Sequence, residues 1–225
     1  MIGTSIKKGA IALSLAFMVA AQAGAAAPAV PAVPTDPADY EFRVGRVVRL
    51  TGAVDRDSAI QVIQRLKYLD ENNPGKKDIT LVINSGGGDV EQGMAIYDTI
   101  RTLRSDVSTV CEGRAMSMAA VLLAAGTPGK RKALPSCHIM LHQISASNSG
   151  KMSDMMLDHH EFMKMNEALM DTVSRHTNRL KADVKKALKD DYYLNPEAAR
   201  EIGVIDEVVT GRVPLPQEGA RPMPL

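Results

Sequence analysis

The chain contains no tryptophan, only 4% aromatic residues and only two cysteines in 225 residues. Its formal net charge is +1, and no segment concentrates its basic residues. Because nucleic-acid-binding proteins combine clustered Lys and Arg with stacking aromatic side chains, nucleic-acid binding is disfavoured. Neither the spacing of the cysteines nor the adjacent His159 and His160 matches a set of metal ligands, so we expect no metal and no cofactor.

The two cysteines, Cys111 and Cys137, both fall on predicted interior strands. Free cysteine is among the most buried residue types, so we expect both to pack as small hydrophobic side chains. A disulfide between them is the alternative if the protein reaches an oxidising compartment.

The N-terminus has the three parts of a secretory leader. Lys7 and Lys8 form a basic region, residues 9–21 are apolar, and residues 21–23 (Ala-Gln-Ala) provide a small-x-small cleavage site. This pattern predicts a signal peptide over residues 1–23 and a periplasmic or secreted location. An uncleaved N-terminal membrane anchor is the alternative, although the apolar stretch is shorter than the roughly twenty residues that span a bilayer comfortably.

The remaining chain is predicted to form one domain between two extended segments. Residues 24–40, rich in Ala and Pro, are typical of a linker, and residues 213–225 form a Pro-rich tail. Between them, residues 41–212 alternate strand-like and helix-like patterns. This alternation predicts an α/β fold with mainly parallel strands.

Two long helices are predicted within this domain. Residues 58–71 show the apolar spacing of a buried stripe, with Asp57 or Ser58 as the N-cap. Residues 153–177 carry a larger apolar surface. Met-rich stripes more often pack in a core, but a helix that projected from a single domain would need a partner, and thus a homo-oligomer, to bury it. The apolar residues are Ile60, Ile63, Leu66 and Leu69 in the first helix and Met155, Met156, Phe162, Met163, Leu169, Met170 and Val173 in the second.

Ser117 stands where a strand-like run, residues 107–111, has ended and an apolar helix begins at Met118. The free N–H groups and the positive dipole end at the start of a helix would stabilise an oxyanion beside this serine. Ser117 is therefore a candidate nucleophile. On this segment alone, a purely structural N-cap is the alternative, because serine is a favoured N-cap residue.

Two further segments supply a candidate base and a candidate acid. His142 directly follows an apolar strand-like run, and a serine nucleophile needs a nearby imidazole to accept its proton. Asp190 and Asp191, which precede an aromatic pair, are the best-placed carboxylates downstream. The chain order Ser, His, Asp differs from that of three well-known hydrolase groups, but geometry rather than order defines a triad.

A glycine-rich loop supplies candidate oxyanion donors. Residues 79–83 predict a buried strand that runs into residues 84–88, Asn-Ser-Gly-Gly-Gly. Glycines allow the backbone to approach a ligand, so one amide of this loop and the amide of Met118 could both face an oxyanion. Phosphate binding is disfavoured, because no Gly-Lys-Ser/Thr ending follows the loop.

Residues 46–209 resemble the proteolytic subunit of the Clp protease, the ClpP family of serine peptidases. The segments that carry the resemblance follow one another in the family's order and spacing: 50–55, 83–85, 93–99, 122–126, 130–135, 140–143 and 197–208. The resemblance implies a ClpP/crotonase-like fold with mainly parallel β-sheets, flanking helices and a protruding strand-helix handle. It also implies a serine endopeptidase acting on peptides or unfolded proteins.

The resemblance assigns roles to five residues. Ser117 matches the family's nucleophile and His142 its base. Asp191 matches the orienting acid, and it is preferred over Asp190 because the run from Asp191 to Gly203 aligns without a gap. The amides of Gly88 and Met118 match the oxyanion hole. For the assembly, the resemblance implies stacked heptameric rings, with residues 144–152 as the handle strand.

The sequence departs from the family pattern in the glycine-rich oxyanion loop and at the positions that dock an ATP-driven unfoldase. Gly86 replaces a proline, which frees a backbone angle that proline would fix. Thr80, Val82 and Thr102 stand at the positions of an aromatic pocket that docks ATP-driven unfoldases, and such aromatics commonly dominate binding energy. An unfoldase partner is therefore doubtful, and a periplasm has no ATP supply. We expect a peptidase that works alone on peptides or unfolded chains.

Two other functions fit parts of the pattern. A crotonase-like acyl-CoA enzyme uses a similar oxyanion hole, but it needs no Ser-His-Asp triad. A non-catalytic scaffold of the same fold is the second alternative. It is favoured by Gly86 and by Met116 and Ala119, which replace small residues of the family pattern beside Ser117.

Overall fold

The structure is a computed structural model that describes residues 36–210. The predicted signal peptide, nearly all of the predicted linker and the predicted tail lie outside the described residues. The helices and strands follow in the order α1 (Pro37–Arg43), β1 (Val47–Val54), α2 (Arg56–Glu71), β2 (Ile79–Gly88), α3 (Val90–Thr102), β3 (Val107–Met116), α4 (Met118–Ala124), β4 (Arg131–Ala133), β5 (His138–Leu141), α5 (Met152–His176), α6 (Lys181–Ala187), β6 (Tyr192–Leu194), α7 (Pro196–Glu201) and β7 (Glu207–Val208).

The seven strands form one sheet in which all pairs but one are parallel. Its main path is β1-β2-β3-β4-β7, and β5 pairs with the part of β3 that extends beyond β4. Only β6 runs antiparallel, along β5. This arrangement confirms the predicted α/β fold with mainly parallel strands. The carboxyl ends of β2, β3 and β5 lie together, where loops between parallel strands and helices build sites.

Helix α4 is the most deeply buried helix of the described domain. All seven of its residues are buried, and it packs on β2, β3 and β5 and against α3 and α5. Its sequence, Met-Ala-Ala-Val-Leu-Leu-Ala, is apolar on every side, as expected for a helix enclosed by protein. The residue just before this helix is therefore held against the centre of the core.

Helix α2 corrects the prediction of its start and of its buried face. Asp55, rather than Asp57 or Ser58, is the N-cap, and its carboxylate accepts a hydrogen bond of 2.8 Å from the Ser58 amide. The Ser58 hydroxyl accepts one from the Asp55 amide, which completes a capping box. The residues buried on this helix are Ala59, Val62, Leu66, Leu69 and Asp70, whereas Ile60 is exposed.

Three other segments differ from the sequence-based expectation. Helix α1 occupies part of the segment expected to be linker, and Arg49 on β1 holds it through an ion pair of 2.6 Å with Glu41. Residues 84–88 continue strand β2 instead of forming a separate loop. Residues 144–151, expected to be the handle strand, form no regular element, and the helix that follows begins at Met152.

A half-buried histidine, His176, ends helix α5. Its Nε2 lies 2.9 Å from the Tyr97 hydroxyl of helix α3, which ties the two helices together. Burial, the largest cause, and three nearby guanidinium groups together lower the pKa of His176 to about 4. The guanidinium groups are those of Arg101, Arg131 and Arg175. The imidazole is therefore neutral near neutral pH, and its protonation opposes the folded state.

Within residues 36–210, no helix is both long enough and apolar enough to cross a bilayer.

Candidate active site

Ser117 lies between β3 and α4 in a backbone conformation that few residues other than glycine adopt. Its φ is 53° and its ψ is −126°. Such a conformation costs free energy and persists where the surroundings fix it. Here the amide of Ser117 donates a hydrogen bond of 2.7 Å to the Met140 carbonyl of strand β5. Ser117 occupies the N-cap position of helix α4, but its side chain makes no capping hydrogen bond to the helix.

His142 meets the Ser117 hydroxyl instead. Its Nε2 lies 2.8 Å from Ser117 Oγ, a hydrogen-bonding distance. The parallel register of β3 and β5 produces this meeting, because Met116 pairs with Met140. Ser117 and His142 thus leave the ends of two adjacent strands on the same edge of the sheet. The serine and the imidazole are placed as a nucleophile and a base must be placed.

Asp191 approaches the other nitrogen of the same imidazole. Its Oδ1 lies 3.4 Å from His142 Nδ1, and its side chain is half exposed while that of His142 is mostly buried. The antiparallel pairing of Leu141 with Tyr192 places Asp191 beside His142. The distance is long for a hydrogen bond, as is common in active sites without substrate. Of the two candidate acids, Asp191 contacts the imidazole.

Gly87 packs directly against the backbone that carries Ser117. A Cβ at Gly87 would lie 2.6 Å from the Met116 carbonyl oxygen and 2.7 Å from Ser117 Cβ. Its φ of 87° also favours glycine. A Cβ at Gly86 would meet only the Arg114 guanidinium, at 3.8 Å. The central glycine of the run is therefore required by space, whereas the first one is not.

Gly88 and Met118, whose amides are the predicted oxyanion donors, line the same pocket as Ser117. Met118 is the first residue of α4, so its N–H has no acceptor within the helix. Gly88 lines the same pocket as Ser117, and its φ of 152° turns the backbone at the end of β2. Beyond it, the amide of Asp89 donates to the Val54 carbonyl and anchors the loop to β1.

A pocket of about 230 Å³ opens beside the Ser117–His142 pair. Its wall is part apolar and part polar, and it combines residues from β2, α3, α4, β5 and α5. The residues that line it are Gly86, Gly88, Val90, Ser117, Met118, Met140, His142, Gln143, Ile144, Ser145 and Leu169.

The structure thus brings together all five predicted site residues, Ser117, His142, Asp191, Gly88 and Met118. Two residues that shape the site, Met140 and Gly87, were not singled out by the sequence analysis. Met140 acts through its backbone carbonyl, which carries no sequence signal. Gly87 was visible only as one glycine among three, and nothing in the sequence distinguished the crowded position from the open one.

The two cysteines behave differently from the expectation that they pack as separate thiols. Cys111 and Cys137 form a disulfide, and their Cα atoms lie 6.2 Å apart. Cys111 lies on β3 and Cys137 directly precedes β5, which pairs with β3. The sequence pattern alone could not show this proximity. Residues 36–210 contain no group of three or more His, Cys, Asp or Glu side chains placed to hold a metal ion.

In a comparison with protein families, the family model described as Clp protease matches residues 40–212. The matched region includes the glycine run, Ser117, His142 and Asp191, and it covers most of the 225 residues.

Proposed function

Because this chain belongs to the Clp protease family, we propose that it is a serine endopeptidase that cleaves peptides or unfolded proteins through an acyl-enzyme. The observation that carries the proposal is the 2.8 Å contact between Ser117 Oγ and His142 Nε2 beside a pocket of about 230 Å³. A hydroxyl and an imidazole in this contact, with an acid behind the imidazole, have the geometry of acyl transfer to serine.

The proposed reaction has two halves. His142 takes the proton of Ser117, whose oxygen attacks the peptide carbonyl, and the amides of Gly88 and Met118 hold the oxyanion that forms. His142 then protonates the leaving amine, so that the acyl group stays on Ser117. In the second half His142 activates a water that releases the acyl group. Asp191 remains ionised throughout and orients the imidazole.

The wall of the pocket supports a preference for apolar residues on the acyl side of the cleaved bond. Val90, Ile144 and Leu169 present only hydrocarbon, and Met118 and Met140 add flexible thioether side chains. A charged side chain would lose hydration there without a partner. We expect peptides with Leu, Met or Phe at this position to be cleaved faster than peptides with Asp or Lys.

The exposed half of helix α5 supports assembly into a homo-oligomer. Its apolar side chains Met152, Met156, Leu157 and Met163 are all exposed in the single chain. An apolar stripe of this kind marks an interaction surface. Since members of the Clp protease family form oligomeric rings, we propose that this stripe joins copies of the chain. Stacked heptameric rings are the arrangement proposed.

Independence from an unfoldase and export from the cytoplasm are further parts of the proposal. At the three positions of the docking pocket, Val82 is buried, Thr80 is half-buried and Thr102 is exposed, and none is aromatic. The leader pattern of residues 1–23 supports a periplasmic or secreted enzyme, with a membrane anchor as the alternative. The proposed catalytic domain comprises residues 41–212, between the linker of residues 24–40 and the tail of residues 213–225.

The test is hydrolysis of short fluorogenic peptides and of unfolded casein by the protein without its leader, with no ATP and no chaperone. Ser117→Ala is expected to abolish cleavage, while the matched change Ser149→Ala on an exposed loop leaves it intact. Equal cleavage by the Ser117 variant would overturn the assignment of the nucleophile. No cleavage by the unmodified protein, together with no labelling by a fluorophosphonate, would indicate a non-catalytic scaffold.

A further inference from the structure

The disulfide between Cys111 and Cys137 lies inside the domain, away from the surface. The relative exposure of the two residues is 0% and 2%. Their Cα separation of 6.2 Å falls within the range of native disulfides. They are the only two cysteines of the chain, so no other intramolecular pairing competes.

The crosslink spans the point where strand β3 changes partners. Cys111 forms the last pair of β3 with β4, opposite Ala133, and three residues later Arg114 opens the ladder with β5, opposite His138. The chain passes from β4 to β5 through a tight turn. In that turn the Leu134 amide donates to the Cys111 carbonyl and the Cys137 amide donates to the Leu134 carbonyl, both at 3.0 Å.

The same short ladder carries the serine and the histidine at its other end. It has three residue pairs, which join residues 114–116 to residues 138–140. Ser117 and His142 follow directly, and their contact of 2.8 Å depends on the register of those pairs. A slip of one residue would move His142 by about 3.3 Å along the strand and turn its side chain to the other face.

We propose that the Cys111–Cys137 disulfide is a positioning crosslink that holds the strand of Ser117 and the strand of His142 in the register required for catalysis. The inference rests on the proposed peptidase function. With only three residue pairs, the ladder between β3 and β5 resists local opening weakly. The disulfide joins the two segments covalently at the end of this ladder opposite Ser117 and His142. Full activity then requires the oxidised form of the protein.

The crosslink forms by exchange with a disulfide-bearing oxidant, either a small disulfide or a disulfide oxidoreductase. The Cys137 thiolate attacks the oxidant's S–S bond, which gives a mixed disulfide and releases one thiol. The Cys111 thiolate then attacks the Cys137 sulfur and releases the second thiol. Two electrons pass to the oxidant, and the two protons of the cysteines end on the released thiols. Cys137 lines an open cleft of about 400 Å³, which provides the approach.

The test compares four forms of the protein without its leader: oxidised wild type, reduced wild type, Cys111→Ala and Cys137→Ala. Reduction is carried out with dithiothreitol in mild denaturant, which is then removed under anaerobic conditions. Alkylation and intact mass report the crosslink independently of activity. The reduced wild type keeps both side chains, so it separates loss of the bond from loss of packing.

The expected result is the same fall in kcat, about tenfold or more, in all three forms without the crosslink, because small displacements of reacting groups are costly. KM for a short peptide changes by less than about threefold, well below the expected change in kcat, since the substrate pocket lies on the other side of Ser117. Reoxidation of the reduced wild type with oxidised glutathione restores kcat, whereas the two variants do not recover.

If the disulfide is purely stabilising, the result is different. Its loss then lowers the melting temperature, by about 5–10 °C for a closed loop of this length, and leaves kcat unchanged at temperatures well below the transition. That outcome overturns the proposal, and so do two alkylated cysteines in the oxidised wild type. If the crosslinked wild type neither cleaves peptides nor reacts with a fluorophosphonate, the peptidase function itself fails, and the positioning role fails with it.

Discussion

Replacing Gly87 by alanine tests whether the glycine run shapes the nucleophile. The added Cβ would lie 2.6 Å from the Met116 carbonyl oxygen and 2.7 Å from Ser117 Cβ. Ordinary contacts of this kind exceed 3.4 Å, so the strand end of Ser117 or the loop must move by about 0.5–1 Å. The φ of 87° adds backbone strain for any residue with a Cβ.

The magnitudes follow from these two effects. A non-glycine residue in such a conformation costs about 1–3 kcal/mol of folding free energy. For a domain of this size, that corresponds to a fall of roughly 3–10 °C in melting temperature. A displacement of nearly 1 Å at the reacting atoms costs about a hundredfold in kcat/KM. We expect Gly87→Ala to fold, to melt earlier and to lose most of its activity.

The neighbouring glycine provides the matched control. A Cβ at Gly86 meets only the end of the flexible Arg114 side chain at 3.8 Å, and the φ of Gly86 does not lie in the left-handed region. Gly86→Ala is therefore expected to keep kcat/KM within about threefold of wild type. The assays are peptide hydrolysis, the rate of fluorophosphonate labelling and thermal melting of both variants. An active Gly87→Ala, or equal damage by both changes, would refute the reasoning.

Three further changes test the acid, the buried imidazole and the exposed stripe. Asp191→Asn should lower kcat by about 10²- to 10⁴-fold, with Asp190→Asn close to wild type, and the reverse ranking in peptide hydrolysis would transfer the role to Asp190. His176→Gln should flatten the pH dependence of stability. The pKa of His176 is about 4 when folded and about 6.5 when unfolded, so the wild type loses stability as pH falls from 6.5 to 4. Denaturant titrations at both pH values measure this, and equal pH slopes for the two proteins would contradict it. Met156→Lys should dissociate the homo-oligomer in light scattering, because the exposed thioether would be replaced by a charge, and an unchanged mass would show that α5 lies outside the interface.

The candidate site residues could be chosen from the sequence because few residue types can act as nucleophile, base or acid. A serine at a strand-to-helix junction, a histidine after the next long strand-like run and an acid before an aromatic pair are distinctive in combination. The structure then placed Ser117, His142 and Asp191 at the ends of three adjacent strands. The alternation of apolar strands and helices was likewise enough to predict the parallel α/β fold.

What the sequence did not predict depends on contacts between distant segments. The N-cap of α2 was misplaced because Asp55, Asp57 and Ser58 are all acceptable caps, and only the backbone angles select Asp55. The pairing of Cys111 with Cys137 could not be predicted without knowing the strand order. Strand β3 pairs with β4 up to Cys111 and with β5 from Arg114 onward. Residues 144–151 were expected to form a strand, but the described domain offers them no strand neighbour.

The burial of helix α4 links chemical reactivity at Ser117 to the survival of the whole domain. All of its residues are enclosed, and it contacts four strands and two helices. The amide protons of such a helix exchange only when the entire domain opens. Partial opening of the exposed half of α5 would leave Ser117 reactive. Unpacking of α4, by contrast, would disrupt the core and the proposed catalytic site together. The decay of serine labelling during heating should therefore follow the rate of global unfolding.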